Sequence, residues 1–203
     1  MPRIVDHEAR RREIAAALWR VVRSEGVERT SVRTVAAEAG WSAGALRHYF
    51  ATQEDLHAFA LSSMLEQSVV RVRRRLASDE TDPAARAVAL VEELLPLDDE
   101  RRGECLVWYA FADRARLDAV LGDVRRQGWL GTRHIARLAV AEAARVQRPL
   151  GLEDELPDPA LEARAARLHV LIDGWAVHGI SYPDIVPATA LHEQVVAEVT
   201  SWA

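Results

Sequence analysis

No stretch of this chain alternates polar and apolar residues for long enough to make a half-buried strand; its apolar residues recur every three to four positions instead. Alanine, leucine and arginine dominate, and all three favour helix. This pattern predicts an all-α fold of about nine helices. At 203 residues and 49% apolar, the chain can bury a real core. No apolar run approaches the roughly 18–20 residues that a membrane-spanning helix needs. Charges interrupt the N-terminal MPRIVDHEARRREIAAAL, which excludes a signal peptide, so a cytoplasmic protein that does not enter a membrane is expected. One cysteine, Cys105, allows neither an internal disulfide framework nor a multi-cysteine zinc site.

Punctuation residues place the helices. The first is expected over 7–24, with Ile14, Leu18, Val21 and Val22 as its stripe and Gly26 as its stop. Thr30 or Ser31 caps a short helix over 32–39 that Gly40 ends, and Ser42 caps another over 43–49. Thr52 and Asp55 open a long helix over 52–76 with a reciprocal capping pattern. Asp82-Pro83 and Asp158-Pro159 are helix starts with proline at the first turn. Further helices are expected over 98–113, 118–146, 158–179 and 188–202. The expected domains are 1–50 and 51–203.

Residues 32–50, VRTVAAEAGWSAGALRHYF, meet the mechanical demands of a helix-turn-helix. Ala36 is small where the second helix must cross the first, and Gly40 tolerates the positive φ of the turn. Val35, Ala39, Trp41 and Leu46 are spaced to fill the angle between the helices. Small residues at Ala43 and Gly44 let the backbone approach a phosphate. Arg47 and His48 project outward, and an arginine can donate two hydrogen bonds to guanine in the major groove. Tyr49 offers a hydroxyl to a phosphate. Charge agrees: residues 1–50 hold nine Arg against six acids, whereas 51–203 hold 17 Arg against 25 acids.

Together these residues resemble the TetR family of bacterial transcription regulators, from about Arg12 to Leu56. Gly44, Leu46, Tyr49 and Phe50 match the family's recognition-helix pattern. Arg47 stands where the family usually has tyrosine, and Gln53 where a lysine often touches a phosphate. The strings LRHYF and LIDGWAVHGI are similar to the branch with a BetI-like regulatory half. The resemblance implies a homodimer that reads a palindromic double-stranded operator, with half-sites about 34–36 Å apart. It also implies that Thr30, Ser31 and Arg33 hold the DNA backbone beside Ser42, Ala43, Gly44, Arg47, His48 and Tyr49. An arm around Arg3 and Arg10–Arg12 is either a further phosphate contact or a solvated arginine cluster.

Residues 51–203 then have to supply dimerisation and sensing. Leu161, Leu168 and Ile172 on one helix and Val195, Val199 and Trp202 on the last make stripes that suit a four-helix dimer interface or a plain core. Trp108, Phe111, Trp129 and Trp175, with His134 as a polar group, are candidate lining for a small-molecule effector; Tyr109, Tyr182, Glu104, Asp173 and His178 are further candidates. His169 and Asp173 are four apart, but His178 falls five beyond, so no metal site is expected. No cofactor motif or catalytic constellation is present, so an enzyme is not expected. The expected function is a ligand-responsive repressor. The alternative is a helical small-molecule-binding protein or enzyme that retains a helix-turn-helix-like head.

Overall fold

The computed structural model describes residues 7–26, 29–114 and 119–202. Among them are nine helices and no strand: α1 His7–Glu25, α2 Val32–Ala39, α3 Ala43–Arg47, α4 Gln53–Leu76, α5 Pro83–Glu92, α6 Asp99–Arg114, α7 Ala119–Ala144, α8 Pro159–Ser181 and α9 Ala188–Thr200. The helix ends follow the expected punctuation. Gly26 (φ 84°) and Gly40 (φ 72°) both adopt the left-handed backbone that closes a helix. The Asp82 and Asp158 carboxylates accept from the backbone N–H of Ala84 and Ala160.

The chain divides into two compact units: Met1–Met64 with Leu106–Val124, and Leu65–Cys105 with Arg125–Ala203. The division does not fall at residue 50, where the sequence placed it. In the first unit α1 packs on α2 and α2 on α3. Ile14, Leu18, Val35, Ala36 and Leu46 are buried there, and so are Leu56 and Leu61 of α4. The Phe50 and Phe59 rings lie 5.0 Å apart, and His57 lies on Phe111 of α6 at 4.2 Å. Three short helices enclose little apolar area by themselves, and the aromatic side chains of α4 and α6 complete this core.

The second unit has a long-range core. Leu90, Val91, Leu95, Leu138, Val140, Leu168, Ile172, Leu191, Val195 and Val199 are buried. α9 packs on α5 and α8. Gly179 allows the close approach of α8: a Cβ there would stand 2.7 Å from both Leu191 and Pro96.

Buried ion pairs tie this unit together. The Arg71 guanidinium donates to both Glu104 oxygens, at 2.9 and 2.6 Å, and to Glu93 at 2.9 Å. Arg137 grips Glu162 through three hydrogen bonds of 2.7–3.0 Å. Burial holds the Glu104 carboxyl above its usual range despite Arg71. Burial also pushes Glu162 upward, but the hydrogen bonds from Arg137 and the Leu156 N–H, with the Arg137 and Arg133 charges, bring it below its usual value.

Candidate nucleic-acid interface and effector residues

Local hydrogen bonds build the head. The Ser31 hydroxyl accepts from the Thr34 N–H at 3.1 Å, and the Thr34 hydroxyl oxygen accepts from the Ser31 N–H at 2.9 Å, which closes a capping box at α2. Gly40 then turns the chain, and Ser42 caps α3 by accepting from the Ala45 N–H at 3.1 Å. Leu46 is fully buried, and it anchors α3 with Ser42, Gly44, Arg47 and His48 exposed. Arg47 and His48 are thus adjacent and exposed at the end of the helix that follows the Gly40 turn.

The other predicted contacts divide. Arg33 is exposed, and Ser31 and Ala43 are half-buried. Thr30 is only 1% exposed, so the expectation that it holds DNA is corrected: its carbonyl instead accepts from the Gln53 side-chain amide at 2.9 Å. That bond also explains Gln53, which ties the start of α4 to the start of α2. Arg10–Arg12 are exposed on α1 and belong to a helix rather than an arm; Arg3 lies outside the described residues. Trp41, expected to fill the interhelical angle, is partly buried. Its ring meets Tyr49 edge-on, at 5.6 Å and 64°.

The candidate effector residues fall in different units. Trp108 and Phe111 belong to the first, and Trp129, His134 and Trp175 to the second. Phe111 is fully buried against His57, so that face is already taken by the protein. Trp129 is 50% exposed, but the Arg133 guanidinium covers its ring at 5.2 Å and His169 lies 5.1 Å away. A ring already facing a guanidinium is poorly placed to receive a second cation. Trp108 and Trp175 are half-buried. The half-buried His134 has its Nδ1 enclosed without a hydrogen-bond partner, and burial holds its imidazole below the usual value. His169 is buried, and desolvation with the nearby Arg133 charge lowers it to about 4. Burial pushes the Cys105 thiol up to about 12, which leaves it unreactive. Among the described residues no group of three or more His, Cys, Asp or Glu side chains is placed to hold a metal, and no helix is long and apolar enough to cross a membrane.

The predicted dimer stripes need correction. Leu168, Ile172, Val195 and Val199 are each 2% exposed or less within one subunit. A side chain without accessible surface cannot lose any to a partner, so these four close the subunit's own core. Leu161 and Trp202 are half-buried; the Trp202 indole donates to Glu198 at 3.2 Å and carries Arg164 over its ring. The stripe was legible at helical spacing, but spacing does not say which protein it faces.

Comparison with known proteins agrees with this architecture. Residues 14–58 match the family model for bacterial regulatory proteins of the tetR family, and residues 83–202 match the C-terminal region of the BetI-type transcriptional repressor. The HTH-type transcriptional regulator PksA of Bacillus subtilis (strain 168) is 34% identical over 203 residues, covering 99% of this chain and 93% of its own. The crystal structure of a transcriptional regulator from Rhodococcus sp. Rha1 superimposes with a TM-score of 0.77 at 31% identity, over 94% of each chain. A regulator from Saccharomonospora viridis, solved in complex with choline, gives 0.78 at 21% identity over 95% of this chain and 96% of its own. The chain belongs to the TetR family of bacterial transcription regulators, with a BetI-type C-terminal half.

Proposed function

We propose that this regulator is a repressor that binds a palindromic operator as a homodimer and leaves it when a small molecule binds the helical C-terminal half. The observation that carries this reading is α3 itself: a capped helix, anchored by buried Leu46, that turns Arg47 and His48 outward. Arg47 reads a base, and Arg33 and the α3 N-terminus contact phosphates. His134, with its enclosed and unpartnered Nδ1, supplies a polar contact to the effector within the second unit. Choline bound to a regulator of the same fold supports a small-molecule effector of some kind.

The dimer face on α8 is the exposed stripe Ala163, Arg167, Val170, Gly174, Val177 and Ser181. Its steps alternate between four and three residues, which keeps one seam facing a partner helix. Val170 is 70% exposed, and nothing stands within 4 Å of a Cβ built on Gly174, so a second helix has both an apolar contact and room to approach. Helix α4 runs unbroken from Gln53 to Leu76 and serves as the lever between effector and head. The effector acts only through its difference in affinity for the two states, and reversing a 99:1 occupancy takes about 5.5 kcal/mol.

The test begins with a duplex selected by the wild-type protein from random DNA. Arg47→Ala should relax base preference at one position in each half-site, and an unchanged preference removes Arg47 as a base reader. Val170→Asp should yield a monomer by sedimentation and weaken operator binding. Operator affinity is then measured with candidate effectors; an effector that binds the protein without changing it rules out the switch.

A further inference from the structure

Trp41 occupies an unusual place for so large an apolar side chain. It directly follows the left-handed turn at Gly40, and its N–H donates to the Ala36 carbonyl at 2.8 Å, which sets the start of its side chain. The core of the head holds Ile14, Val35, Ala36 and Leu46, each 1% exposed or less. The Trp41 side chain is partly buried and bridges two elements. Arg10 of α1 places its guanidinium 4.7 Å from the ring centroid. Glu13 of α1 accepts from the indole N–H at 3.4 Å. Tyr49, just beyond α3, packs against the ring edge at 5.6 Å.

A guanidinium over an indole face loses much of its rotational freedom and keeps its charge. Arg10 is exposed, and Tyr49 lies two residues beyond Arg47. One ring therefore holds an arginine from α1 and a tyrosine from the end of the recognition helix side by side. We infer that Trp41 is a positioning residue that sets Arg10 and Tyr49 as a phosphate clamp flanking the recognition helix. This rests on the DNA-binding reading of the head and adds to it: α1 contributes to the backbone contact through Trp41. Phosphate is the partner that the chemistry selects, because a guanidinium and a phenol hydroxyl are both donors to its oxygens.

The experiment uses the full chain and the duplex selected by the wild-type protein, with affinity measured across a salt series. Each neutralised phosphate contributes about −0.9 to the slope of log K against log salt. Trp41→Val and Arg10→Ala should each weaken binding about tenfold and make that slope shallower by about one, with base preference unchanged. The double variant should bind no more weakly than Trp41→Val alone, because the second change removes a contact already lost. Trp41→Phe keeps an aromatic face for Arg10 and should recover most of the affinity and the slope. Helical content and thermal midpoint are followed in parallel. If Trp41→Val does not fold, Arg10→Ala and Trp41→Phe carry the test. A wild-type slope in Arg10→Ala, or losses that simply add in the double variant, overturns the clamp. A wild-type chain that selects no duplex overturns the DNA-binding reading instead, so the two failures are distinct.

Discussion

The two compact units are held together in different ways. In the head the helix-capping contacts are short in sequence: the Ser31–Thr34 box, the Ser42 cap and the Thr52–Asp55 pair each join residues three apart. Its ion pair between Arg20 and Glu38 is exposed on both sides. The second unit has caps of the same kind, and adds multiply bonded ion pairs that are long-range and enclosed. Arg71 reaches Glu93 and Glu104, which are 22 and 33 residues away, and Arg137 reaches Glu162, 25 away. Short-range caps specify where helices stop, and long-range buried pairs specify which helices meet. Local rules therefore set the helix ends of both units, and the second unit adds enclosed ion pairs where the head's ion pair is exposed.

Substitutions should break this contrast in a definite order. Arg71→Leu should cost most, about 3 kcal/mol in denaturant unfolding, because Glu104 would keep its burial and lose both of its guanidinium bonds. Adding Glu104→Leu should restore a large part of that loss. A double variant no better than the single would show that the pair is not the source. Gly179→Ala should cost about 1–3 kcal/mol through overpacking against Leu191 and Pro96, read as a lower thermal midpoint.

Acid should also act on the second unit through His169. Its folded-state value of about 4 lies below the ordinary value of 6.5, so the unfolded chain binds more protons between those limits. The stability this contributes is complete above about pH 6.5 and is lost as the pH falls toward 4, on the order of 3 kcal/mol in all. His169→Gln should flatten that part of the pH–stability curve; an unchanged curve would assign the acid sensitivity elsewhere.

In the head, Ser31→Ala should cost about 1 kcal/mol, the usual price of a cap. Arg20→Ala should change stability by less than about 0.5 kcal/mol, because water already screens an ion pair so exposed. A head ion pair that costs as much as Arg71 would end the distinction between the units.

The same distinction explains what could be read from residues alone. The helix-turn-helix was legible because its signals are local: Gly40 turns, Ser42 caps, and in one short helix Leu46 is buried and Arg47 exposed. The bounds of α2 agree with the expected range, and those of α1 differ by one residue. Helix α3 is shorter than expected, because 43–49 was drawn and the helix ends at Arg47, with Tyr49 drawn toward Trp41. Thr30 was misread because a threonine beside a cap looks exposed in sequence, and only the packing shows α4 covering it. Trp41 is partly buried, and its hydrophobicity alone does not show that it also meets Arg10, Glu13 and Tyr49.

What the sequence determined by itself is the helical class, the helix ends and the reading head, since all three depend on spacing and on residues within a few positions of each other. What only the tertiary structure decided is which apolar stripes turn inward. Leu168, Ile172, Val195 and Val199 have the same periodicity that an interface would show, and their burial depends on α5 and α9 folding back across distances that no local rule encodes. The partners of Arg71, Arg137 and Trp41 were likewise invisible in sequence, because a charge or a ring declares what it can bind and the fold chooses what it meets.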